Sequence, residues 1–329
     1  MLGRRVSMGF CNRLTAARAA VALVLLTAPA WADDSSVFKS PVFKAYPING
    51  VTDVPVGWQA SAFLYNGSLN TSADNQFTTS HVDVTGGIAA LEYRFPWLSV
   101  AVLGNFGHTH VMYLQVLQDT FASSAAIGVR GRAYLGPLTF TLSTSTADDK
   151  YQTVLQNAAN AWDGAERAIY GSVAADLHAG PAWVVPFVGA RYLALTQDAH
   201  MLGGAGIPEE TRHSQLAFAA ARLELRLRDD RNNLITPWLF GGVSHEYEDI
   251  PPMGPSVFIT EGMAGNQYTL FPPGMTNVPA IFPGRTTQTF GAGVNMDFAK
   301  VFTVNGGIYR EFNAEFASTT YKLGAALRW

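Results

Sequence analysis

The chain ends on a strand pattern. From Tyr321 onward Tyr321, Leu323, Ala325, Leu327 and Trp329 take every second position, while Lys322, Gly324, Ala326 and Arg328 alternate with them. A period of two belongs to an extended strand with one apolar and one polar face. Similar alternation recurs along most of the sequence. No segment beyond the first 32 residues reaches the roughly 18–20 uninterrupted apolar residues of a membrane-crossing helix. Strands that each carry one apolar face must bury it against a second sheet or turn it toward lipid. In lipid, the chain's backbone polar groups must all pair internally, which only helices and closed barrels achieve.

The start of the chain favours the second solution. Arg4, Arg5, Arg13 and Arg18 precede the apolar run Ala19 to Leu26, and Ala30-Trp31-Ala32 gives a small-x-small cleavage motif. Residues 1–32 are read as a Sec-type signal peptide, cut between Ala32 and Asp33. The uncharged stretch 19–32 is too short to anchor in a bilayer. The leader holds four of the 22 basic residues and none of the 25 acids, so the mature chain carries a net charge of −7. That balance makes nucleic acid a poor partner. The leader also holds Cys11, the only cysteine, so the mature chain has no thiol or disulfide, which suits export through an oxidising compartment.

Twelve strands are expected, near 56–66, 82–95, 98–110, 120–135, 138–147, 167–178, 182–196, 213–228, 234–248, 286–298, 300–312 and 316–329. In the fourth, Phe121, Ala125, Ile127, Val129 and Leu135 share one face, with Arg130, Arg132 and Tyr134 on the other. The eighth sets Leu223, Leu225 and Leu227 against Arg222, Glu224, Arg226 and Arg228, and the tenth sets Phe290, Met296 and Phe298 against Thr289, Asn295 and Asp297. A charge on a lipid face is disfavoured by ~2–4 kcal/mol at mid-membrane, so the charged faces point into a lumen. The second and eighth strands change phase midway, which predicts bulges. Short turns at Pro96-Trp97, Gly136-Pro137, 178–181, 229–233 and Ala299-Lys300 alternate with longer loops near 67–81, 111–119, 148–166, 197–212 and 249–285. Trp58, Trp97, Trp183, Trp238 and Trp329 fall at the short-turn ends, as an interfacial aromatic girdle requires. The fold class is therefore all-β: a 12-stranded antiparallel transmembrane β-barrel of outer-membrane type.

Two resemblances sharpen this. The terminal Lys322, Gly324, Leu327 and Trp329 resemble the C-terminal insertion signal of bacterial outer-membrane barrels. Three regions resemble the C-terminal translocator domain of the autotransporter (type V secretion) family. These are Pro186 to Tyr192, Pro237 with the Ser244 to Asp249 cluster, and 290–329 through Phe290-Gly291-Ala292-Gly293-Val294 and Gly306-Gly307-Ile308-Tyr309-Arg310. The likeness spans 56–329 and implies a Gram-negative outer-membrane location. It also implies a monomeric barrel delivered by periplasmic chaperones and a barrel-insertion machinery into lipid and lipopolysaccharide. Family members usually carry a large passenger ahead of the barrel; here 33–55 precedes the first strand, and it is expected to be periplasmic or to thread the pore as a vestigial passenger. Pro41 and Pro47 disfavour the continuous helix that normally fills the family's lumen.

Chemistry beyond the lumen is sparse. His108 and His110 share a strand face, a spacing that suits two metal ligands, but no third ligand is fixed by sequence, and a strand-end polar pair is the favoured reading. Asp148-Asp149 opens a predicted loop and suits turn chemistry better than an acid pair for proteolysis. No catalytic, cofactor or metal residue is assigned, and the chain is read as a non-enzyme. The candidate functional residues are the inward charges: Arg130, Arg132, Arg191, Arg222 and Arg226, opposed by Glu92, Asp176, Glu224, Asp297 and Glu311. Mixed signs either pair to rigidify a narrow barrel or line an aqueous pore; pairing is favoured. Loop 249–285, with seven Pro, three Met and three Phe, is expected to pack onto something. The expected role is structural or surface-exposed, with a small-solute pore or a loop-based adhesin as alternatives.

Overall fold

The computed structural model describes residues 56–71, 80–113, 118–155, 158–202, 205–229, 233–247, 286–312 and 316–329. The expected signal peptide 1–32, its cleavage site at Ala30, Ala32 and Asp33, segment 33–55 and the expected loop 249–285 lie outside the described residues. Within them run twelve long strands. The first six are β1 (Gly57–Thr71), β2 (Ser80–Arg94), β3 (Leu98–Tyr113), β4 (Gln118–Leu135), β5 (Leu138–Leu155) and β6 (Ala158–Ala175). The rest are β7 (Ala182–Gln197), β8 (Glu210–Leu225), β9 (Leu234–Glu246), β10 (Thr286–Phe298), β11 (Phe302–Phe312) and β12 (Phe316–Arg328). Each pairs antiparallel with its sequence neighbours, and β12 returns to β1 from Gln59↔Arg328 to Thr71↔Phe316, closing the sheet. Twelve strands at ~4.8 Å spacing and ~40° tilt give a backbone cylinder ~24 Å across. Leu177–Ala179 and Leu227–Arg228 extend the ladder beside β7 and β9, and His200–Leu202 with Ala205–Ile207 form a small hairpin.

Facing follows the alternation. On β4, Ile127, Val129 and Leu135 stand outward, with exposures of 60%, 47% and 68%, while Arg132 is buried inside. Leu64, Leu142, Leu239 and Leu323 continue this exposed apolar band on other strands. A water-soluble surface does not carry so continuous a belt of large aliphatic residues, so the belt marks a lipid-facing wall. The connections at the end bearing the chain's terminus are tight. Ala299 and Lys300 adopt φ of 49° and 60°, the mirror-image turn that a two-residue hairpin needs, here without glycine. At that end Trp58, Tyr93 and Phe95 meet edge to face, with centroids 5.0 and 4.7 Å apart, and Trp97 and Trp329 are exposed beside them.

Four expectations are corrected. The predicted loop 148–166 is strand: β5 and β6 stay paired from Leu138↔Ala175 to Leu155↔Ala158. At 18 residues each they rise well above a ~25 Å apolar band. Their upper outward positions are Asp148, Lys150, Gln152 and Asp163, so both faces there are partly polar and the hydrophobic alternation that marks a strand disappears. Similarly, part of the predicted loop 197–212 is paired strand, His200–Leu202 against Ala205–Ile207. The bulges expected in the second and eighth strands are absent from the described ladders, where register is unbroken. The change of phase in β2 instead reflects Val82 and Val84 turning inward and buried at the loop end. Finally, Trp183 and Trp238 do not belong to the girdle. Trp238 is buried in phase with Thr236 and Phe240, and Trp183 shares the inner phase of Val185 and Phe187.

Candidate functional site: the barrel lumen

The inner wall is layered along the barrel axis. Nearest the terminus-bearing end lies a ring of ion pairs. Arg130 Nη2 donates to Glu92 Oε2 at 2.7 Å, and Arg132 Nη1 approaches the same oxygen at 3.5 Å. Glu224 is shared between Arg222 at 3.1 Å and Arg226 at 3.0 Å. Arg328 meets Asp297 at 3.1 Å. Guanidinium groups also cover rings: Arg226 sits 3.6 Å above Trp183, Arg94 4.3 Å above Tyr134 and Arg222 4.6 Å above Trp238. Each carboxylate thus answers at least one cation, which offsets the cost of removing these charges from bulk water.

Above this ring, Tyr170, Phe187, Phe218, Trp238, Phe240 and Tyr309 form a buried aromatic cluster on one side of the lumen. These rings lie against bare backbone of neighbouring strands. A Cβ on Gly293 would stand 2.3 Å from Trp238, one on Gly291 2.6 Å from Tyr309, and one on Gly189 2.5 Å from Phe218. On the opposite wall Phe63 covers Gly324 and Tyr65 covers Gly86, and Lys322 Nζ lies 4.1 Å above the Phe63 ring. Sequence reasoning missed this layer. Its signal was available in part, because Phe218, Trp238 and Phe240 share parity with the inward charges; their glycine partners lie on other strands, at offsets set only by register.

At the loop end, Trp162 is sandwiched between Tyr151 at 5.5 Å and His200 at 4.1 Å, both nearly parallel to it. Asp149, Glu166 and Gln197 are buried beside this stack. Burial holds the His200 imidazole below its ordinary pKa, and its Nδ1 lies 2.8 Å from the Asp198 carbonyl. The neutral ring therefore carries its proton on Nδ1. Asp148 points outward and Asp149 inward, so the two acids do not form a pair.

The histidines at 108 and 110 face outward, where His110 stacks on Phe121 at 4.4 Å and approaches Asp119 at 3.4 Å. Among the described residues no three His, Cys, Asp or Glu side chains are placed to hold a metal ion. Of the terminal signal residues, Lys322 and Gly324 face inward, whereas Leu327 and Trp329 take the outward phase. Trp329 exchanges two backbone hydrogen bonds with Trp58, of 3.0 and 3.1 Å, across the β1–β12 seam. Arg191 and Glu224 are buried inside, and Glu311 accepts a hydrogen bond from Thr289 at 3.3 Å.

A closed twelve-stranded cylinder with paired lumen charges and an apolar outer belt narrows the choice to membrane barrels. Residues 60–308 match the family described as Autotransporter beta-domain. The chain belongs to that family. Its members are Gram-negative outer-membrane barrels, so the end bearing the short turns is periplasmic and the loop end faces outward. The translocator domain of NalP from Neisseria meningitidis superposes with a TM-score of 0.67 at 13% identity, over 96% of this chain and 97% of that one. The β domain of the Bordetella autotransporter BrkA gives 0.63 at 11% identity, over 83% and 100%. The transport unit of AIDA-I from Escherichia coli gives 0.62 at 10% identity, over 89% and 97%. These likenesses concern the fold. No curated protein sequence is detectably similar to the chain.

Proposed function

We propose that this translocator barrel holds the extended segment preceding β1 in its lumen and presents its upstream end at the cell surface. The observation that carries this is the charge order along the axis. The periplasmic half sets Arg94, Arg130, Arg132, Arg222, Arg226 and Arg328 against Glu92, Asp176, Glu224 and Asp297, a surplus of cations. Among the described residues the outer half sets Asp149, Glu166 and Glu311 against Arg191, a surplus of acids, and Lys322 stands between the two halves at the level of Phe63. Within segment 33–55 the stretch 39–53 has matching polarity, with Asp53 beside β1 and Lys44 and Lys39 farther upstream; Asp33 and Asp34 precede it and would lie beyond the outer acids. The nine extended residue steps from Asp53 to Lys44 span ~30 Å, the hydrocarbon thickness of a bilayer. An outward-threaded segment would set Asp53 among the arginines and its lysines among the outer acids.

The barrel is read as a transporter scaffold rather than an enzyme. In the same reading the leader 1–32 is removed between Ala32 and Asp33. The chain reaches the membrane through periplasmic chaperones and the barrel-insertion machinery, with Trp329 as handle. It stands there as a monomer in contact with lipid and lipopolysaccharide, since its ladder closes on itself without a second copy. A Lys39→Cys variant, labelled on intact cells with a membrane-impermeant maleimide, tests the threading. Labelling of intact cells is expected; labelling only after the outer membrane is permeabilised would place the segment on the periplasmic side and favour an open pore.

A further inference from the structure

We propose that Arg328 is the latch that holds the barrel's closing seam, separating the last strand into an outward address, Trp329, and an inward clasp beside it. The β1–β12 ladder joins the two ends of the barrel, with Gln59 and Arg328 facing each other at a sequence separation of 269 residues. Such a ladder forms only after both ends are present, and it carries the largest chain-closure penalty of all the strand pairs.

Arg328 is suited to that seam. It is buried on the inner wall at 7% exposure. Its Nε donates to Gln59 Oε1 at 3.0 Å on β1. Nη1 and Nη2 both donate to Asp297 Oδ1 at 3.1 Å on β10. Nη2 reaches Thr303 Oγ1 at 2.8 Å on β11, and Nη1 the Lys300 carbonyl at 3.3 Å in the β10–β11 turn. Thr303 in turn donates to Asp297. One guanidinium therefore ties four consecutive strands, β10, β11, β12 and β1, across three ladders spaced ~4.8 Å apart. Only a planar fork with five donors satisfies acceptors on both sides of its own strand in this way. Asp297 and Gln59 lie outside the terminal signal, which separates a clasp from a recognition element.

The test uses the full chain expressed into outer membranes, with two engineered cysteine pairs as reporters. Ala62→Cys with Ala325→Cys bridges outward-facing register partners at the seam, and Val102→Cys with Val129→Cys bridges a β3–β4 control pair. Directly opposed strand residues lie within disulfide reach. Arg328→Gln and, independently, Asp297→Asn are expected to lower oxidation at the seam but not at the control pair. Each should also speed heat-induced loss of the folded electrophoretic form by roughly tenfold, the lower end for charged hydrogen bonds. An oxidised seam disulfide should restore the slow rate in both variants. The proposal is overturned if Asp297→Asn closes normally while Arg328→Gln is lost from the membrane, the pattern of a signal read by the insertion machinery. It is equally overturned if seam and control pairs weaken together, or if the locked seam fails to rescue.

Discussion

Replacing Glu92 with Gln probes the lumen at a carboxylate shared by two arginines. The substitution keeps the side-chain shape and one acceptor but removes the charge that Arg130 and Arg132 share at 2.7 and 3.5 Å. The two arginine side chains are 17% and 8% exposed, so neither regains full hydration when its partner is neutralised. Removing one member of a buried pair destabilises by ~3–5 kcal/mol, and a retained neutral hydrogen bond returns about 1 kcal/mol. The expected loss is about 2–4 kcal/mol, read as a lower urea midpoint with an unchanged slope in lipid vesicles. A further Arg130→Gln change should recover part of it, because the surplus charge is gone. A loss below ~0.5 kcal/mol would rule out a buried, mutually dependent pair. So would a loss that vanishes in 1 M salt, where screening acts over ~3 Å, because the pair would then be solvated rather than buried.

Other substitutions reach the remaining layers. Gly307→Ala places a methyl group 2.7 Å from the Trp238 ring and should destabilise by ~1–3 kcal/mol, with most of that loss relieved in a Trp238→Ala background; additive losses would contradict the contact. Because burial lowers the His200 pKa, its packing stabilises the outer hairpin fully above the ordinary imidazole value near 6.5 and is lost as pH falls through the lower folded value. Amide protection at 198–202, with the intrinsic exchange rate at each pH divided out, should therefore fall at acidic pH, and His200→Phe, which keeps the stack on Trp162, should remove that pH step. Deleting Trp329 should abolish assembly, read as loss of the heat-modifiable band from outer-membrane fractions.

How far the sequence foretold this molecule depends on where a residue sits relative to lipid. Inside the apolar band the solvent on each face is fixed, so Ile127 and Val129 against Arg130 and Arg132 could be assigned sides from alternation alone. Above the band both faces of β5 and β6 are wet, and Asp148, Lys150 and Asp163 looked like a loop although they extend a continuous ladder. Trp238 was misplaced because its height along the strand was legible and its parity was given too little weight. That Glu92 and Arg130 both face inward followed from phase. That they meet did not, since 38 residues separate them and only register brings them together. The same holds for Trp238 with Gly293 and Gly307, three residues on three strands whose contact no local pattern encodes.

A closed autotransporter-type barrel that keeps its own upstream segment in the lumen should stay largely shut until that segment is removed. Single-channel conductance in planar bilayers, compared between the chain carrying residues 33–55 and the chain lacking them, tests it most directly. Small, interrupted currents are expected for the first and a steady, larger ohmic pore for the second. Equal conductance in both, whether open or silent, would contradict it.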